Sequence, residues 1–103
     1  IVGMTKTLAK EWGRYNTTVN AVAFGYIQTR LTTPLQPGEG GTIDVAGHTV
    51  KVGIQAGRLS AMNQMIPLGR GGTAEEAAGS VYLFCSPDSD YVSGQTLLVT
   101  GGL

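Results

Sequence analysis

The sequence predicts an α/β protein, namely the carboxyl-terminal portion of a doubly wound parallel sheet that its 103 residues leave incomplete. Two short runs, Thr18–Ala23 and Thr96–Thr100, are apolar across both faces and rich in β-branched residues, as expected of strands buried in a parallel sheet. They are set in the order helix, strand, long loop with helix, helix, strand, the alternation of an open α/β sheet whose faces are covered by helices. A six-stranded sheet of this kind needs on the order of 150 residues. Two strands cannot bury both of their faces alone.

The first helix carries Ile1, Met4, Thr5, Leu8 and Trp12 on one face and Lys6, Lys10, Glu11 and Arg14 on the other. Gly13 is its expected stop, since glycine accepts the left-handed conformation that closes a helix. No N-cap precedes Ile1, so the helix is expected to begin earlier. Gly25 ends the first strand, and residues 26–41 change to Thr, Pro, Gln and Gly, including Pro34, Pro37, Gly38, Gly40 and Gly41, the composition of a long surface loop. Ile43-Asp44-Val45 and Val50-Lys51-Val52 alternate around Ala46-Gly47 and predict a small hairpin. Leu59, Met62 and Ile66 mark a helix from about Gln55 to Ile66, ended by Pro67. Thr73-Ala74-Glu75-Glu76 has the form of a capping box, and Ala77, Val81, Phe84 and Cys85 continue that helix to Ser86-Pro87.

Seven basic and seven acidic residues cancel, and no block of like charge is present, so nucleic acid is not an expected partner. Charged residues are 14% of the chain, against roughly 25% in an ordinary domain, which points to surface meant for burial. The apolar runs fall far short of the ~20 residues that a membrane span needs, and one cysteine builds no disulfide framework. A soluble protein of a reducing compartment, the cytoplasm, is expected, with no membrane partner. No signal-peptide pattern is present.

Several segments together resemble the carboxyl-terminal part of the short-chain dehydrogenase/reductase family, and within it the 3-oxoacyl-[acyl-carrier-protein] reductases. They are Gly3-Met4-Thr5-Lys6-Thr7-Leu8-Ala9, Val19-Asn20-Ala21-Val22, Phe24-Gly25-Tyr26-Ile27-Gln28-Thr29, Ile66-Pro67-Leu68-Gly69-Arg70, Glu75-Glu76-Ala77-Ala78, Tyr91-Val92-Ser93-Gly94-Gln95 and Gly101-Gly102. The resemblance covers essentially the whole chain. It implies a Rossmann-like fold and hydride transfer between NAD or NADP and a carbonyl or hydroxyl substrate. It implies that Phe24, Gly25, Ile27 and Thr29 bind the cofactor, through backbone groups at 24 and 27 and the Thr29 hydroxyl. Tyr26, Leu31 and Met62 take the substrate side, with residues 30–66 as a loop or lid. Subunits pair in the family through segments corresponding to residues 73–86 and 95–100, which implies a homo-oligomer.

The chain departs from the family pattern in ways that matter. Phe24 stands in place of Pro, and Thr100 where many relatives have Asp. The glycine-rich phosphate turn, the catalytic Ser and the Tyr-x-x-x-Lys motif are absent, since residues four beyond Tyr15, Tyr26, Tyr82 and Tyr91 are Val19, Arg30, Ser86 and Gln95. Alignment would place that Lys a few residues before Ile1. No catalytic residue is therefore assigned, and the chain alone is expected to be inactive without an amino-terminal half.

Competing readings stay open beside these. Thr29 also reads as a loop hydroxyl in a local turn, and Tyr26 as a cover for the loop. Met62 and Met65 suit either a flexible apolar substrate or ordinary packing. Asp44, His48 and Ser60 do not make a triad, because no Gly-x-Ser-x-Gly elbow surrounds Ser60. Cys85, among apolar neighbours, is expected in the core, and one His with one Cys excludes the usual zinc sites. Two functions fit: part of an NAD(P)-dependent oxidoreductase, or a non-catalytic oligomerisation module derived from that family.

Overall fold

The structure is a computed structural model and describes residues 1–32, 41–52 and 56–103. In chain order the elements are α1 (Val2–Trp12), β1 (Ala21–Phe24), β2 (Gly41–Val45), β3 (His48–Val52), α2 (Ala56–Met65), α3 (Ala74–Leu83) and β4 (Thr96–Val99). Short 3₁₀ turns occupy Gly13–Tyr15, Arg30–Thr32 and Pro87–Ser89. The expected loop positions Pro34, Pro37, Gly38 and Gly40, and the expected helix start at Gln55, lie outside the described residues.

Strands β1 and β4 pair in parallel, with Ala21 opposite Thr96 and Phe24 opposite Val99. The parallel sheet anticipated from the two apolar runs is thus present. β1 starts three residues later than expected because side chains hold the approach. Ser93 Oγ accepts from the Val19 N–H at 3.1 Å. The Asn20 amide donates to the Val92 carbonyl at 2.8 Å and accepts from the Gln95 N–H at 3.1 Å. These bonds fix register before the ladder begins. The second sheet is the expected hairpin: β2 and β3 are antiparallel, with Ile43 opposite Val50 and Val45 opposite His48. Its two-residue turn puts Ala46 at φ 52° and Gly47 at φ 80°, both left-handed, as a tight hairpin turn requires.

Helix α1 ends differently from the expectation at Gly13, which stays right-handed at φ −55°. The helix tightens into a 3₁₀ turn, and Asn16 takes the left-handed position instead, at φ 58°. Asparagine tolerates that region because its short polar side chain bonds locally. Of the face expected to be buried, Thr5 is covered, with its hydroxyl donating to the Ile1 carbonyl at 2.8 Å. Leu8 is half-buried, whereas Ile1, Met4 and Trp12 are exposed, because nothing among the described residues lies over them. α1 instead meets the loop into β4, where Gly94 backs onto Ala9.

Helix α3 packs against β1 and opens with the anticipated capping box. The Thr73 hydroxyl accepts from the Glu76 N–H at 3.1 Å, and Glu76 Oε1 accepts from the Thr73 N–H at 3.0 Å. It stops at Leu83, short of Cys85. The chain turns there through i to i−3 bonds, in which the N–H groups of Phe84 and Cys85 donate to the carbonyls of Val81 and Tyr82. Cys85 is consequently exposed and not in the core, since the apolar helical face ends before it. Among the described residues Ile66 is the one buried large apolar side chain.

Arg70 grips Glu76 in a two-pronged ion pair, at 2.7 and 2.9 Å. Arg70 first, with the Thr73 amide beside it, holds the Glu76 carboxyl at about 2, well below its ordinary 4.5, and Glu76 in turn raises Arg70. A depressed carboxyl contributes stability that is full above its unfolded value and lost as pH falls through its folded one. Glu76→Gln is therefore expected to flatten the acid limb of the stability profile between pH 4.5 and about 2; an unchanged limb in acid titration followed by circular dichroism would contradict the pairing. Thr73→Ala, which removes the cap, is expected to cost about 1 kcal/mol, read as a lower denaturation midpoint at neutral pH.

Candidate functional site

In open α/β sheets the carboxyl ends of the strands are where loops diverge and ligands fit. Here the end of β1 opens onto a cleft of about 760 Å³. One wall is the segment from Phe24 to Thr32, the other is the end of α2 with Met62, Met65 and Ile66. Ala74 and Ala77 of α3, together with Leu103, complete it. No charged side chain lines the cleft among the described residues.

The backbone of the first wall is pinned on one side. Parallel pairing alternates, so with the Ala21 and Gly25 N–H groups donating to β4, the N–H and C=O of Phe24 point away from it. Gly25 donates to the Val99 carbonyl at 2.9 Å. A Cβ at this position would stand 3.1 Å from Thr100 Cα and 3.2 Å from its Cβ, so any larger residue would press on Thr100 behind it. The family resemblance puts Gly25 among the cofactor-binding residues; the structure adds a constraint on it from the sheet side.

Beyond Gly25 the chain forms a one-residue parallel bridge between Ile27 and Gly72. The Gly72 N–H donates to the Tyr26 carbonyl at 3.0 Å and the Gln28 N–H to the Gly72 carbonyl at 2.8 Å. The Ile27 N–H and C=O consequently face the opposite way. The carbonyl accepts from Thr32 Oγ1 at 3.1 Å, while the Ile27 N–H has no partner among the described residues. Thr29 is anchored by its backbone to the turn after it: its N–H donates to Thr32 Oγ1 at 2.7 Å and its carbonyl accepts from the Thr32 N–H at 3.0 Å.

The Tyr26 ring lies against Gly71, so close that a Cβ there would collide with ring atoms Cε1 and Cδ1. Its hydroxyl is shielded and, like Asn63 Oδ1 on α2, has no partner among the described residues. Phe24, Gly25, Tyr26, Ile27, Thr29 and Met62 are thus brought together at one cleft, while Leu31 stands outside its lining at 60% exposed. Thr32, Ile66, Ala74, Ala77 and Leu103 were not marked by the sequence. For Ala74 and Ala77 a usable signal existed, since the capping box places a helix start beside the motif after β1. His48 sits exposed at the hairpin turn and Ser60 exposed within α2. Among the described residues no group of His, Cys, Asp and Glu could hold a metal, and no helix is long and apolar enough to cross a membrane.

A family model described as enoyl-(acyl carrier protein) reductase matches residues 41–103. The 3-oxoacyl-[acyl-carrier-protein] reductase FabG of Thermotoga maritima is 38% identical over the whole chain, which covers 34% of that protein. The 2-dehydro-3-deoxy-D-gluconate 5-dehydrogenase of Bacillus subtilis is 34% identical over 99% of the chain, again covering 34% of its own length. The chain therefore spans about a third of the curated relatives it matches. Among solved structures, a short-chain dehydrogenase from Bacillus anthracis superposes with a TM-score of 0.65 at 35% identity, over 98% of this chain and 30% of that one. A short-chain dehydrogenase/reductase of Serratia marcescens gives 0.70 at 27% identity, over 98% of this chain and 33% of that one. With its parallel β1–β4 pair, its cleft at the strand ends and these matches, the chain belongs to the short-chain dehydrogenase/reductase family, close to the 3-oxoacyl-[acyl-carrier-protein] reductases.

Proposed function

We propose that this chain is the carboxyl-terminal part of an NAD(P)-dependent oxidoreductase that reduces a carbonyl substrate of the 3-oxoacyl kind, or oxidises the corresponding alcohol. The observation that carries this reading is the cleft at the end of β1, with the outward-facing Ile27 N–H at its wall. A nicotinamide carboxamide needs one acceptor and one donor. The Ile27 N–H and the backbone of Phe24, both turned away from their sheet partners, offer that chemistry, so the residues present fit the group. When bound, the cofactor supplies or accepts the hydride. Phe24, Gly25, Ile27 and Thr29 would hold and orient the ring, and Tyr26 and Met62 would border the substrate.

An apolar wall without charge favours an uncharged carbonyl with an aliphatic body over a sugar acid and keeps water from the reacting carbon. Leu31 and residues 30–66 would form the substrate-side loop or lid. A missing amino-terminal half would contribute the acid, the remaining cofactor contacts and the strand that covers the outer edge of β1. On this reading the isolated chain is inactive. The free Cys85 suits a reducing compartment, the cytoplasm.

A second reading is a non-catalytic oligomerisation module derived from the same family. It is favoured by exposed Val81 and Tyr82 on α3 and Leu98 on β4, which the proposed subunit contact through residues 73–86 and 95–100 would cover. Both readings expect a homo-oligomer, so a strictly monomeric native protein in light scattering would contradict that contact. They part in a coupled assay. The native protein carrying these residues is expected to consume NADH or NADPH with acetoacetyl-coenzyme A and to form the 3-hydroxy product. Neither cofactor binding nor turnover in that protein would leave the module reading standing.

A further inference from the structure

We propose that Arg70 and Glu76 are positioning residues for the cofactor-facing backbone of Tyr26–Gln28, acting through the two peptide groups on either side of Gly72. This inference rests on the cofactor reading above. In the peptide joining Gly71 to Gly72, the carbonyl accepts from Arg70 Nη1 at 3.0 Å and the N–H donates to the Tyr26 carbonyl. In the next, joining Gly72 to Thr73, the N–H donates to Glu76 Oε1 at 3.0 Å and the carbonyl accepts from the Gln28 N–H. Each peptide group is thus held at one end by the ion pair and at the other by the segment carrying Ile27. The same Arg70 Nη1 and Glu76 Oε1 also bond each other, at 2.7 Å, which closes the arrangement.

Rotation of either peptide would break a bond to Tyr26 or Gln28 and swing the Ile27 N–H between them. Glycines at 71 and 72 have no side chain to resist such rotation, and a Cβ at 71 would collide with the Tyr26 ring, while one at 72 would meet the movable end of the Ile27 side chain. Orientation must therefore come from outside the strip. The ion pair is about half exposed, so solvent screens its charges and its role here is not measured by its strength. Its two-pronged, charge-assisted geometry gives direction instead.

The test uses the native protein carrying this chain, with Glu76→Gln, Arg70→Gln and the double variant. Glutamine at 76 keeps the helix cap, because its amide oxygen still accepts from Thr73, while the charge is lost. Binding of NADH and NADPH is measured by titration beside their nicotinamide-free counterparts, ADP-ribose and 2′-phospho-ADP-ribose. The expected result is about tenfold weaker binding of the dinucleotide, the scale of one charge-assisted hydrogen bond, with the nicotinamide-free ligand unaffected. The double variant is expected to be no worse than either single one, since the pair acts as a unit. Equal weakening of both ligand types would mean a general structural role and overturn the proposal, as would unchanged binding of all of them. If the unsubstituted protein binds no dinucleotide, the cofactor reading itself fails and the positioning role falls with it.

Discussion

Everything described depends on one parallel pairing between two strands at opposite ends of the sequence. β1 and β4 run side by side, and Gly25 follows β1 directly against Thr100. Because backbone meets backbone there, the chain after β1 cannot drift toward the sheet. It is deflected over Gly71 and Gly72, where the Ile27 bridge forms and the cleft begins. Thr100 therefore acts on the site by occupying space behind it, without touching the cleft.

The rest of the molecule shows what a chain spanning about a third of its relatives' length does with its own residues. Polar devices are complete: the Thr73 cap, the Arg70–Glu76 pair and the Asn20 side chain, which bridges two strands' approaches, are all satisfied. Burial is not. A single buried large apolar residue among those described, beside exposed Met4, Trp12, Tyr82 and Leu98, leaves the hydrophobic term far smaller than a self-sufficient domain requires. The apolar stripe on α1 is a demand for a neighbour, in keeping with a sequence that spans a third of its relatives.

What the sequence made legible follows from range. The hairpin turn, the capping box and the two strands are written in contiguous residues, so Ala46-Gly47, Thr73 with Glu76, and the apolar runs could be recognised directly. The stop of α1 could not, because Gly13 and Asn16 both accept a left-handed turn and geometry chose the later one. Cys85 had apolar neighbours in sequence, but whether the helix reached it depended on where its last bonds closed. Within the site, the Phe24–Thr29 stretch stood out by resemblance. The Gly71–Gly72 strip did not, since its importance lies in bonds to residues more than forty positions away.

The separation of the two paired strands also shapes how the chain reaches this structure. Asn20 and Gln95, which lock the register, are 75 positions apart. Closing a loop of that length carries an entropic cost that local elements avoid, so α3 and the hairpin can form early while β1 waits. During synthesis β1 emerges long before its partner, with both edges unpaired and apolar residues on both faces. Through that interval the edges of Ala21–Phe24 stay open to mispairing.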